Sequence, residues 1–210
     1  MRFTSRKLAI FLLSAALPVL SSCGEGEKLV INGPLSKANK LNKQVKELIR
    51  SRRYTKALPL ARKALAYREK SLKPDHAQVL ESQDALATIY QATRRFEKAG
   101  ALFWKRLSTL ERTAGPDHIE VAHTLYKMAP SFGNLGQFAK ATKLLKRARA
   151  IYEKNLGLDH AFIADTLKRQ ASVYELIGLW EEAAPLLKEA RAMRTRLAKR
   201  SKKNKAAKKG

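Results

Sequence analysis

A tripeptide ending in Asp-His returns at one interval along this chain: Pro74-Asp75-His76, Pro116-Asp117-His118 and Leu158-Asp159-His160. Each copy stands 42 residues after the last, and other columns keep the same step. Tyr54, Phe96, Phe138 and Trp180 align, as do Ala57, Ala99, Ala141 and Ala183. A period of this length means stacked supersecondary units, each burying its apolar face on its neighbours, rather than a single globular core. Such an array is better suited to holding a partner than to transforming a substrate.

Within each unit the apolar pattern is helical twice over. In the second unit Val79, Gln83, Leu86, Ala87 and Tyr90 recur at steps of three and four. The aligned positions are Val121, Leu125, Met128, Ala129 and Phe132 in the third unit, and Ile163, Leu167, Gln170, Ala171 and Tyr174 in the fourth. These form one stripe on a helix of about four turns. A polar break follows, at Thr93-Arg94-Arg95, Leu135-Gly136-Gln137 or Ile177-Gly178-Leu179. A second helix then runs from the aromatic column to about Leu72, Ala114 or Leu156, with Leu60, Leu102, Leu144 and Leu186 aligned inside it. Alanines 87, 129 and 171 facing alanines 99, 141 and 183 allow helix axes to approach within about 8–10 Å.

A small residue, an aromatic three later, then aromatic-x-x-alanine resembles the tetratricopeptide repeat. The long second helix and the link Gly115-Pro116-Asp117-His118 are similar to the 42-residue kinesin-light-chain variety. The resemblance covers residues 35–197 and implies an all-α, right-handed superhelical solenoid of about four helix pairs, near 35–73, 76–115, 118–157 and 160–197. The first unit lacks Asp-His and opens after Asn32-Gly33-Pro34, with Val45 in place of the small residue. A terminal unit with no preceding neighbour tolerates that change.

The two ends carry different signals. Arg2, Arg6 and Lys7 precede a stretch, Leu8 to Leu20, that is apolar except for Ser14. Its 13 residues are too few to cross a hydrocarbon core of ~30 Å as a helix, so a signal-peptide core is expected. Leu20-Ser21-Ser22-Cys23 resembles the bacterial lipoprotein box. That resemblance implies removal of residues 1–22, lipidation of Cys23 and a lipidated tether over 23–34. It also implies an extracytoplasmic protein, with Gly24 pointing to the periplasmic face of an outer membrane where the host has two membranes. Cys23 is the sole cysteine, which excludes an internal disulfide and any cysteine-based metal cluster. At the other end, Arg196 to Gly210 holds eight Lys or Arg and no acid. Residues 198–210 are therefore expected to form a disordered basic tail. Without Arg2, Arg6 and Lys7 the formal charge falls from +25 to +22, and without the tail's eight cations the body still carries +14.

Three histidines lie in the Asp-His column, but repeat-equivalent residues stand on the order of 15–20 Å apart, whereas zinc holds its ligands at ~2 Å. No metal site is expected. Asp75, Asp117 and Asp159 are instead expected to cap the following helices by accepting from free amides, with histidine packed beside them. The chain shows no nucleophile elbow, no phosphate-binding glycine loop with lysine, no His-Glu-x-x-His and no paired cysteines. Neither an enzyme nor a cofactor is expected. Glu181 and Glu182 stand at a helix start, where the macrodipole favours them. Pro130 falls inside a helix and predicts a kink between Tyr126 and Pro130 that frees the Tyr126 carbonyl.

The resemblance implies a concave binding face lined by the first helix of each repeat. Helical position places Asn42, Lys43 and Lys46 there in the first repeat, and Glu81, Asp84, Thr88 and Gln91 in the second. The third contributes His123, Tyr126, Lys127 and Asn134, and the fourth Asp165, Lys168, Arg169 and Glu175. Asn134 matches the family's peptide-binding asparagine, whereas Ala92 and Leu176 depart from that column. Lys127, Lys168 and Arg169 form a positive end suited to an acidic peptide segment.

The leading expectation is a membrane-tethered scaffold for a protein partner in the cell envelope. A polyanion-binding protein, taking anionic lipid or cell-wall polymer through its basic tail and body, is the second. Nucleic acid is disfavoured by the export signal and by the lack of aromatics interleaved with the cations. A lipidated assembly chaperone for a pilus or secretin is the third.

Overall fold

The computed structural model describes residues 33–207, so the expected signal peptide, Cys23, most of the tether and the last three residues lie outside the described part. Eight helices fill it: α1 (Pro34–Arg50), α2 (Tyr54–Ser71), α3 (Ala77–Ala92), α4 (Phe96–Ala114), α5 (Ile119–Asn134), α6 (Phe138–Leu156), α7 (Ala161–Leu176) and α8 (Trp180–Ala207). Contacts run almost wholly between helices adjacent in sequence, with a weaker contact from α1 to α3. That is the quasi-one-dimensional packing of a solenoid, in which each pair rests on the next.

The period explains the core. Ala87, Ala129 and Ala171 on the first helices, and Ala57, Ala99, Ala141 and Ala183 on the second, are all buried, so paired axes can close on one another. Val45 is fully buried in the first pair despite its larger side chain. Tyr54 and Phe138 pack against the core from its edge. Trp180, in the same column, is 63 % exposed because no helix pair follows it among the described residues.

The turn within each pair needs one left-handed residue, at Arg52, Arg94, Gly136 and Gly178, again 42 apart. Glycine meets that φ without a Cβ clash, whereas the two arginines hold it at a cost of roughly 1–2 kcal/mol. Between pairs the chain exits at Gly115 and Gly157, with φ of 92° and 78°. Lys73 takes that column after the first pair, and there the chain leaves α2 one residue earlier, at Leu72 with φ −134°.

Two expectations are corrected by the geometry. The caps of α3, α5 and α7 are the histidines: the amides of Gln78, Glu120 and Phe162 each donate to Nδ1 of His76, His118 and His160 at 3.2 Å. Asp117 and Asp159 turn instead to the second helix of the pair that they introduce, where they meet Lys154 of α6 and Arg196 of α8. The aspartate sits one residue too early to reach the open amides, because the extended residue that precedes the helix is the histidine. Second, the basic stretch after Leu197 is not disordered as far as Ala207; it continues α8 as helix. The helix α5 runs through Pro130 to Asn134, and the proline has no amide to return to the Tyr126 carbonyl. Next to that proline, Gln91 of α3 donates from Nε2 to the Lys127 carbonyl (2.7 Å) and to Ser131 Oγ (2.8 Å).

Candidate functional site: the groove between the second and third repeats

A groove of about 590 Å³ opens where α3 meets α5. Ala77, Leu80, Glu81 and Asp84 line it from α3, and Glu120, His123, Thr124, Tyr126 and Lys127 from α5. The second helices supply Arg106, Leu110 and Tyr152, and Phe162 reaches in from the first turn of α7. The surface it offers is more apolar than polar.

One wall is aromatic. Phe162 stacks on Tyr152 with centroids 5.4 Å apart and meets the His123 ring edge-on at 4.8 Å. His123 Nδ1 lies 3.2 Å from Glu120 Oε1, which fixes the ring against α5. Tyr152 is buried, and that burial pushes its phenol well above the ordinary range, with Tyr126, Glu120 and Asp165 adding to the effect. It serves as a neutral, apolar wall.

The charges in and beside the groove compensate one another. Glu81 takes Lys46 Nζ on one oxygen (2.6 Å), with Arg68 Nη1 (2.9 Å) and Asn42 Nδ2 (3.1 Å) on the other. Burial pushes its carboxyl up, but these cations outweigh that and hold it below the ordinary range. Arg68, itself buried, also donates to the Gln78 carbonyl, Ser82 Oγ and Asn39 Oδ1, so it ties α2 to both α1 and α3. Arg106 repeats the device one layer on, reaching Glu120 (2.6 Å), Thr124 Oγ1 and the Leu80 carbonyl. Burial likewise raises the Glu120 carboxyl, and His123, Arg106 and Lys127 together bring it below its ordinary value.

These pairings revise the set of contact residues. Asn42 is 5 % exposed and is used inside the structure, as is Lys46. Lys127 donates to both oxygens of Asp84, at 3.0 and 2.8 Å, which neutralises it towards an acidic peptide. The Arg169 guanidinium lies 4.2 Å from the Tyr126 ring centroid and donates to its hydroxyl. Of the positive end, Lys127 is paired, whereas the exposed Lys168 and the half-buried Arg169, held against Tyr126, make no ion pair among the described residues. Thr88 bonds the Asp84 carbonyl of its own helix, Gln91 bridges to α5, and Asp165 pairs with Arg194. Asn134 Nδ2 is taken by the Pro130 carbonyl one turn back, so that amide is committed locally. Lys43 is exposed and Glu175 half-buried, and neither lines the groove.

The structure thus brings together Glu81, Asp84, His123, Tyr126 and Lys127 of the expected set, and adds Leu80, Arg106, Leu110, Tyr152 and Phe162. The added residues come mostly from second helices and from the next repeat's entry. Tyr152 shares a column with Arg68, Leu110 and Arg194, where size and charge change from repeat to repeat. That variability within an otherwise constant period is the one sequence signal that marks the wall. Among the described residues no three His, Cys, Asp or Glu come together to hold a metal ion, and no helix is long and apolar enough to cross a membrane.

No curated protein matches the chain. Among solved structures, the nearly identical TPR-like repeats assigned to a kinesin light chain of Podosopora anserina superpose with a TM-score of 0.65 at 24 % identity, covering 76 % of this chain and 76 % of that one. BtubC (BKLC) from P. vanneervenii gives 0.69 at 21 % identity over 77 % and 64 % of the two chains. The apo form of RapI gives 0.69 at 18 % identity over 86 % and 64 %. At these identities the likeness is one of fold, and the chain spans less than two thirds of the last two. The tetratricopeptide repeat profile matches three overlapping stretches, residues 48–107, 86–154 and 120–196. With eight helices in four pairs carrying the repeat's alanine and aromatic columns, this chain belongs to the tetratricopeptide repeat family.

Proposed function

We propose that this protein is an envelope-tethered, non-enzymatic scaffold that holds a segment of a partner protein in the groove between α3 and α5. The observation that carries the reading is the groove itself: about 590 Å³, mostly apolar in lining, with charged groups already paired around it. A site of that kind rewards an apolar side chain on the partner, seated against Leu80, Leu110 and Phe162, more than a run of acidic residues. The paired charges at its rim supply directional contacts to the partner's backbone without a net demand for either sign. Lipidation at Cys23 supplies the tether, since two or more acyl chains at ~0.8 kcal/mol per buried methylene hold a chain on a membrane durably.

The test is affinity recovery from detergent-solubilised membranes, with partners identified by mass spectrometry. A Phe162→Ser variant should lose a specific partner, whereas Lys168→Glu should keep it. The opposite pattern would reinstate an acidic ligand and overturn the apolar reading. The tether is checked separately by metabolic labelling with a fatty-acid analogue: label on the wild type that vanishes in Cys23→Ala is expected, and label that persists overturns it.

A further inference from the structure

The last helix outruns the repeat that it completes. In α8 the residues packed on the fold end with Met193 and the half-buried Leu197, and Ala198 to Ala207 are all exposed. Arg194 and Arg196 are held by Asp165 and Asp159. Beyond them stand Lys199, Arg200, Lys202, Lys203 and Lys205, none of which makes an ion pair among the described residues, and the last acid in the chain is Glu189.

Such a helix works against its own charge. Lys199 with Lys202 and Lys203, Arg200 with Lys203, and Lys202 with Lys205 are like-charge neighbours at three- and four-residue spacing, each destabilising. At about 100° per residue, Lys199, Lys202, Lys203 and Lys205 fall within roughly half of the circumference, with Leu197, Arg200, Ser201 and Asn204 on the other half. The lysines therefore form one cationic side that an extended anionic surface can meet all at once. Four of the five cations are lysine, a point charge on a flexible stem, rather than arginine with its bidentate fork. That favours a diffuse surface over a defined phosphate pocket.

The other end of the same helix decides which anionic surface. Trp180 opens α8 at 63 % exposure, beside Leu176 at 69 % and the exposed Ile177 and Leu179. An apolar cluster with an indole suits the headgroup boundary of a bilayer and has no use on a soluble polyanion. No aromatic residue lies between Met193 and Ala207, which removes the stacking platform that single-stranded nucleic acid would need.

We infer that α8 is a second membrane contact, with Lys199, Lys202, Lys203 and Lys205 lying over an anionic lipid bilayer and the Trp180 turn at its interface. It extends the tethered-scaffold reading by fixing how the solenoid lies on the membrane, but its readout needs neither the acyl chain nor the groove. The mature chain, residues 23–210, carrying Cys23→Ser and Trp104→Phe is mixed with vesicles of phosphatidylcholine alone, or with about one third phosphatidylglycerol. Each lysine at such a surface is worth roughly a factor of five, so with four of them anionic vesicles should bind several hundredfold more tightly (roughly 600-fold), falling as salt shortens the Debye length. Trp180 emission should shift to the blue on binding. Gln at positions 199, 202, 203 and 205, which leaves an exposed helix its propensity, should return binding to the neutral baseline while circular dichroism confirms the fold. Retained anionic preference in that variant overturns the inference. So does binding without the Trp180 shift, or competition by polyphosphate at equal charge, each of which assigns the lysines to a soluble polyanion. A groove variant that loses its partner yet still binds vesicles separates the two readings.

Discussion

Replacing Gln83 by Leu should make the solenoid more stable, and the structure supplies the magnitude. Gln83 lies in the stripe of α3 with 1 % of its surface exposed, and neither its Nε2 nor its Oε1 has a hydrogen-bond partner among the described residues. A buried amide left without partners costs about 1–3 kcal/mol by mutational data. The equivalent positions in the next two repeats are Leu125 and Leu167, both fully buried, so the local geometry already accepts leucine twice. The two side chains are close in volume, and no cavity or overpacking term should oppose the gain. About 2 kcal/mol is expected, which in a domain of this size raises Tm by roughly 4–8 °C. The assay is urea unfolding followed by far-ultraviolet circular dichroism, read as a higher midpoint with an unchanged slope. Because stability in a repeat array is a sum of local terms, slower amide exchange in α3 and α4 should accompany it. A Gln83→Ala control should lose stability through the cavity that it leaves. An unchanged or lower midpoint for the leucine variant would show that the Gln83 amide is satisfied in solution, and the reasoning would fail.

Three more outcomes follow from the same geometry. His118→Ala should cost about 1 kcal/mol by removing the cap of α5, and His118→Asn should restore it, whereas Asp117→Ala should melt close to wild type; a larger loss from Asp117 would return the cap to the aspartate. Arg94→Gly should stabilise by about 0.5–1 kcal/mol, since it relieves a left-handed φ of 57° at some entropic cost, and Gly136→Arg should destabilise, both read in thermal melts. The Glu81 carboxyl titrates below its ordinary 4.5 when folded, so its contribution is present above that value and lost as pH falls through the folded pKa. Urea midpoints measured from pH 6 down to pH 3 should therefore fall less steeply in Glu81→Gln than in the wild type, and parallel acid limbs would refute the pairing with Lys46 and Arg68.

How much the chain reveals before it folds differs from residue to residue. Where one position does one thing in every repeat, the period exposes it: Ala87, Ala129 and Ala171 can only be a helix crossing, and all three are buried. The cap is harder to read because Asp117 and His118 can each accept an amide, and a one-residue difference in where the backbone turns extended decides between them. The groove is legible in outline, as the first-helix face of repeats two and three. Its charge is not, since Asp84 meets Lys127 across 43 residues and Tyr126 meets Arg169 across the same distance. A run of basic residues on one face cannot reveal that a partner already waits on the neighbouring helix.

Spacing along the chain was enough to settle the architecture: four helix pairs, their lengths, their small-residue crossings and their stacking order. Each of those depends on local periodicity repeated at a constant step, which needs no knowledge of how the repeats lie against one another. That the groove is apolar and internally neutralised, that Tyr152 and Phe162 build its wall, and that the basic end of α8 stands out as helix came from the folded chain alone. Those properties depend on which side chains meet across repeats, and the offset between adjacent helices sets that rather than the period within either one.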